Sequence, residues 1–173
     1  MPLLIDGDAR AAVLAAACDR ILEQQGPAGL TWRAISRVSG IGMSSMTHHL
    51  QDRERLLRVC SHVSATARTA ALTAAVIDLG PLAVLPRDHH DLPATRTWLG
   101  WLEVGRTEPS IGRWLQRPRA QQLAVLGRSL DHRVAATPLL GVQALVDGLR
   151  VALCLPGSTL DIAGSRRTSC TDG

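Results

Sequence analysis

Residues 31–58 read TWRAISRVSGIGMSSMTHHLQDRERLLR, and this stretch decides the fold. Thr31 offers an N-cap hydroxyl to a short helix carrying Ile35 and Val38, and Gly40, free to take positive φ, stops it. A second short helix follows from about Gly42 to Leu50, with Met46 and Leu50 inward at i and i+4, and Asp52 is placed to cap what comes next. The crossing of two such helices needs a small side chain, here Ser36. The turn needs glycine, and Ile35, Val38, Ile41 and Met46 beneath it fix the angle. The pattern predicts a helix-turn-helix, although short helix pairs with a glycine turn also occur in ordinary bundles.

Charge separates the two readings. Arg33, Arg37, Arg53, Arg55 and Arg58 against Asp52 and Glu54 leave three net positive charges in these 28 residues, of the four carried by the whole chain. Cations gathered around the turn suit the phosphates of a nucleic acid duplex. Any single arginine is as readily a solvated helix face; together with the turn, they favour DNA.

Working outward, Val13, Leu14, Ala17, Cys18, Ile21 and Leu22 recur at three and four between Asp8 and Gln25, an amphipathic helix closed by Gly26-Pro27. After Asp52, Leu56, Leu57, Cys60, Val63, Ala67, Ala70, Ala71, Ala74 and Leu79 keep helical spacing over roughly six turns, until Gly80-Pro81 breaks it. Residues 80–93, with three prolines, read as a loop. Trp98, Trp101, Leu102 and Gly105 mark a further helical face. Ile111, Trp114 and Leu115 mark another, which Pro118 should interrupt or kink before Leu123, Leu126 and Leu130 continue. Thr137-Pro138 is a start signal for a last apolar helix ending near Leu155. No strand alternation and no repeat is evident. The chain is expected to be all-α, with about nine helices and a disordered Gly-, Ser- and Thr-rich tail.

Composition agrees. The 173 residues are 46% hydrophobic and 20% charged, enough for a core and too few for most barrel or doubly wound enzymes. All 19 cations are arginine, and the only aromatics are four tryptophans, which disfavours sandwiches and barrels packed with Phe and Tyr. Cys18, Cys60, Cys154 and Cys170 form no CxxC pair, so neither a disulfide framework nor a structural metal is expected. The start of the chain carries Asp6 and Asp8 instead of a basic leader, and no 18-residue stretch is uninterruptedly apolar. A soluble cytoplasmic protein with no membrane partner is predicted.

The run Gly29-Leu30-Thr31, Ile35-Ser36, Ser39-Gly40-Ile41-Gly42, Met43-Ser44-Ser45-Met46-Thr47-His48-His49-Leu50 and Arg53-Glu54-Arg55-Leu56-Leu57 resembles the TetR family of bacterial one-component regulators, without a gap. The resemblance covers roughly residues 10 to 60. Departures fall at Thr47, where the family usually has a phosphate-touching Tyr, at Leu50 for Phe, Ser36 for Ala, Gly42 for a capping Ser, and Arg53 for Lys. Arg53 keeps the cation and adds a fork suited to phosphate. The resemblance implies that Met43, Ser44 and Ser45 face base edges, that Thr47, His48 and His49 lie toward phosphates or thymine methyls, and that Thr31 and Arg33 touch backbone or flanking bases.

It also implies an organisation: a DNA-binding domain over 8–58, a helical effector-binding and dimerisation domain over 59–155, and the tail over 156–173. The run Ala144-Leu145-Val146-Asp147-Gly148-Leu149 looks like the terminal helix of many members. Independently, Gly141, Ala144, Gly148 and Ala152 form one smooth stripe that permits close helix approach, either to a second copy or within the same subunit. Trp98, Trp101 and Trp114, with Glu103, His89 or His90 as polar anchors, are candidates for an effector pocket, although a Trp pair at i, i+3 is more often core.

His89-His90-Asp91 has the ligand types of a zinc or nickel site, but adjacent histidines on a loop rarely reach one ion, and nothing in the spacing recruits His62 or His132. No metal, cofactor or catalytic residue is predicted. The expectation is a non-enzymatic, ligand-responsive regulator, in the main a repressor, reading palindromic double-stranded DNA as a homodimer. The alternative is a regulator-like helical protein that binds a small molecule or metal without reading DNA.

Overall fold

The computed structural model describes residues 7–130, 136–156 and 158. Among them every regular element is helical: α1 Gly7–Gln25, α2 Trp32–Ser39, α3 Met43–Leu50, α4 Arg53–Leu79, α5 Leu92–Thr107, α6 Pro109–Ser129 and α7 Ala136–Cys154, with 3-10 turns at Pro27–Gly29, Gly80–Val84 and His89–Asp91. These seven α-helices replace the expected nine. The tail, His132 and Cys170 lie outside the described residues, apart from Pro156 and Ser158.

Two expectations about prolines are corrected. α6 runs through Pro118 unbroken. Proline removes only the amide that would meet the carbonyl of Trp114, one bond of a 21-residue helix. The 80–93 segment is no open loop: it holds two 3-10 turns, and α5 begins at Leu92 with Pro93 in its first turn, where a missing N–H is harmless.

The chain divides into two compact units, Met1–Ala67 with Thr97–Pro118, and Arg68–Arg96 with Arg119–Gly173. The first therefore takes in, besides α1–α3 and the start of α4, most of α5 and the start of α6. Its core joins Leu14, Cys18, Ile21 and Leu22 of α1 to Ile35, Met46, Leu56 and Leu57, and to Trp98, Trp101, Ile111 and Leu115. Burying each of these large side chains stabilises the unit by about 2 kcal/mol. α5 and α6 meet closely: a Cβ on Gly112 would lie 2.5 Å from the carbonyl oxygen of Gly105, so no larger residue fits there. The second unit packs Leu72 and Val84 with Val125, Leu126 and Val146, beside a smaller cluster of Leu92 and Leu153.

Residues Arg53–Val84 are long and apolar enough, by composition, to pass for a membrane span. They give Leu56, Leu57 and Cys60 to the first core and Leu72 and Val84 to the second, as a core helix of a folded protein does.

Candidate nucleic-acid interface

Each device read from residues 31–58 has its partner in the structure. The Thr31 hydroxyl accepts from the Ala34 amide at 3.2 Å and caps α2. Gly40 ends it at φ +71, with its N–H on the Ser36 carbonyl. The Asp52 carboxylate accepts from the Arg55 amide at 2.7 Å and caps α4. Ser36 does more than spare room: its hydroxyl donates to the Ile41 carbonyl at 2.7 Å, and the Ser39 hydroxyl accepts from the Ile41 amide at 3.1 Å, so two serines strap the turn. A Cβ on Gly40 would meet nothing within 4 Å, so the cost of Gly40→Ala comes from the left-handed backbone alone. We expect a loss of about 1–2 kcal/mol, read as a lower Tm with unchanged helix content in the folded state.

α3 has no side-chain cap, since Gly42 occupies the N-cap. It buries Met46 completely and half-buries Ser45 and Leu50, leaving Met43, Ser44, Thr47, His48 and His49 exposed. The Thr47 hydroxyl is turned back on its own helix, donating toward the carbonyls of Met43 at 3.0 Å and Ser44 at 3.1 Å. The His48 and His49 rings meet edge to face, centroids 5.2 Å apart. Arg33 and Arg37 are exposed on α2. The helix-turn-helix thus presents one polar, cation-flanked helix from an apolar seat.

Arg53 is held by a residue that local reading missed. Its guanidinium pairs with the carboxylate of Glu108 and reaches the Leu30 carbonyl. Glu108 is the hinge between α5 and α6: its N–H bonds the Val104 carbonyl, its own carbonyl accepts from Gly112, and Pro109 at the first position starts the next helix. The pair spans 55 residues of sequence, and only an isolated acid before a helix-starting proline hinted at it.

The residues expected around an effector do not gather. Trp98 and Trp101 are core of the first unit, and the Trp101 Nε1–H donates to Asp19 at 2.7 Å. Burial pushes the Asp19 carboxyl up, against the downward pull of the bonds from Trp101 and Ser64. Trp114 lies on the surface, beside the His62 ring and under the Arg58 guanidinium, 5.8 Å from the ring centroid. Glu103, half-buried, is paired with Arg106 through two bonds of 2.7 and 2.8 Å. Asp91 is clamped by Arg87, and among the described residues no three His, Cys, Asp or Glu side chains gather as metal ligands. Cys18 and Cys60 are free and buried against each other. Their contact, then burial, raises the Cys18 thiol well above its ordinary range and leaves it unreactive.

On α7, Gly141, Ala144 and Gly148 are exposed, Ala152 is half-buried, and a Cβ on either glycine would meet nothing within 4 Å. Leu140, Leu145, Val151 and Leu155 stand exposed beside them, at 47–63%. The inward side of the same helix carries Val146 and Leu153, and also Arg150, which is only 2% exposed.

An exposed second helix, strapped to the first across a glycine turn, is the arrangement of a helix-turn-helix. No protein-family model matches the chain. It is 28% identical over 176 residues to the HTH-type transcriptional regulator BetI of Burkholderia mallei, covering 93% of this chain and 90% of the relative. It shares its fold with a TetR-family transcriptional regulator from Rhodococcus sp. (TM-score 0.75, 16% identity, 92% of this chain and 94% of that one). It also superposes on the multidrug binding protein EbrR, solved in complex with imidazole (TM-score 0.63, 20% identity, 92% of each chain). The chain is thus similar over nearly its whole length to helix-turn-helix transcriptional regulators, and it has the fold of a TetR-family regulator.

Proposed function

We propose that the protein is a cytoplasmic, ligand-responsive repressor that reads a palindromic operator as a homodimer. The observation that carries this is the exposed polar side of α3, held at a fixed angle by Thr31, Ser36, Gly40 and buried Met46. In this reading residues 8–58 are the DNA-binding domain and 59–155 the effector and dimerisation domain. Met43, Ser44 and Ser45 meet base edges in the major groove, and Thr31, Arg33, Thr47, His48, His49 and Arg53 meet phosphates and flanking groups. Thr47 must give up its bonds to Met43 and Ser44 to reach a phosphate, so His48, His49 and the arginines carry more of the anchoring.

Short serines make few base contacts, so one head discriminates poorly and two are needed, about 34 Å apart on successive turns. Support for the dimer comes from α7, where Gly141, Ala144, Gly148 and Ala152 run beside four exposed apolar side chains. A self-complementary stripe of this kind suits a two-fold interface. Support for an effector comes from the likeness to EbrR. A ligand that alters the separation of the two heads would release the DNA.

Affinity for mixed-sequence duplex over a salt series tests the DNA-binding half of the proposal. Log affinity should fall steeply and linearly with log salt, by about 0.9 per phosphate neutralised. A protein that does not retain DNA even at low salt rejects it, and favours the small-molecule-binding alternative.

A further inference from the structure

The exposed side of α3 ends in two side chains of a type that changes charge near neutral pH. The Thr47 hydroxyl before them is turned back on the helix, bonded to the Met43 and Ser44 carbonyls at 3.0 and 3.1 Å. His48 and His49 follow in the last turn, both exposed, and meet edge to face with ring centroids 5.2 Å apart. Among the described residues neither ring has a hydrogen bond or an ion pair. A neutral imidazole offers a phosphate one N–H, whereas a protonated ring offers two N–H donors and a positive charge. Imidazole is the side-chain group that ordinarily passes between these states in the physiological range.

The charged groups around α3 leave these rings to an outside anion. α2, packed against it, carries only the cations Arg33 and Arg37. α1 and α4 share with α3 the apolar core around Met46, where Cys18 and Cys60 contact each other and Asp19 is bonded to Trp101. Past the end of α3 the carboxylates are engaged elsewhere: Asp52 caps α4 at the Arg55 amide, Glu54 stands 4.0 Å from Arg58, and Glu108 holds Arg53. A duplex phosphate is an anion that would reach the exposed rings, and it binds the charged form more strongly than the neutral one.

We propose that DNA binding is coupled to proton uptake at His48 and His49, so that the head holds duplex more tightly in mildly acid than in mildly alkaline conditions. This rests on the reading of α3 as the DNA-facing helix and names a regulation of that same surface. Two charged rings in contact repel, so each head takes up at most about one proton. The bound state then carries more protons than the free one, and affinity falls as pH rises. With a tenfold preference of phosphate for the charged ring, the fall from pH 6 to pH 8 is about sixfold for one head and about 40-fold for two.

The test measures affinity of the whole protein for mixed-sequence duplex from about pH 6 to about pH 8 at fixed ionic strength. The native protein should show that fall, with a steeper salt slope at the acid end. The double variant His48→Gln, His49→Gln, altered only at exposed positions, should give a nearly flat profile at the native protein's alkaline affinity. His62→Gln, on α4, should keep the native profile. Calorimetric titration near neutral pH in phosphate and in Tris, whose ionisation heats differ, should report about one proton taken up per dimer. A native protein whose binding depends on salt but not on pH overturns the proposal and leaves DNA reading standing. So does a pH profile that survives in the double histidine variant. Absence of binding at acid pH and low salt would instead reject the DNA reading, and the coupling with it.

Discussion

Replacing Arg53 with alanine is expected to weaken binding to duplex DNA of every sequence by about 100-fold, and replacing Glu108 with glutamine to strengthen it several-fold. Arg53 is a forked cation at the start of α4, and in the free protein Glu108 holds it. A charged hydrogen bond to phosphate contributes about 1.5 kcal/mol, close to tenfold, and a dimer carries two copies. Two neutralised phosphates fewer should lower the salt slope by about 1.8. The loss should be uniform across sequences, because phosphate contacts position the protein without reading bases. Glu108→Gln removes both a competitor for Arg53 and a negative charge near the DNA. In the double variant the gain from Glu108→Gln should largely vanish if it acts through Arg53. With the Arg53 and Glu108 side chains 43% and 27% exposed, losing the pair should cost little stability, so folded variants can be compared. Fluorescence anisotropy over a salt series reads all three. Equal slopes for the native protein and Arg53→Ala would remove Arg53 from the interface.

The second large effect is expected at Gly148. Gly148→Leu should shift the solution mass from twice 18.5 kDa to 18.5 kDa and weaken palindromic-site binding by on the order of a thousandfold, through loss of the second head. Within the protomer the new side chain meets no atom within 4 Å of its Cβ, so the fold should be spared and helix propensity slightly improved. Gly148→Ala should leave the dimer intact. Light scattering and circular dichroism separate the cases: a monomeric, folded Gly148→Leu supports the α7 interface, and an unchanged dimer places it elsewhere.

What could be read from the sequence was local. The caps at Thr31 and Asp52 and the stop at Gly40 depend on residues three or four apart, where side-chain chemistry and backbone geometry leave few options. The smallness of Ser36 was legible, but its bond to Ile41 was not, because a small residue can be chosen for its volume alone. Pro118 does not end α6, because one lost bond in a 21-residue helix can be outweighed by the bonds and packing on either side of it. The tryptophans divide by burial: the i, i+3 pair fills a core, while Trp114 lies outside it. The grip of Glu108 on Arg53 and the burial of Arg150 are long-range, 55 and 66 residues apart, and no spacing rule reaches them. A charged i, i+3 pair, Asp147 and Arg150, inside an otherwise apolar helix was the available signal for the second.

In the reading proposed, α2 and α3 recognise a specific palindrome in a two-fold assembly. Selecting genomic fragments with the purified protein, sequencing the recovered DNA and repeating the binding with the enriched site tests it most directly. One enriched palindrome with half-sites a helical turn apart, bound by two chains with a steep salt slope, is the expected result. Recovery of fragments without a common sequence, held only by weak salt-sensitive adhesion, would contradict it.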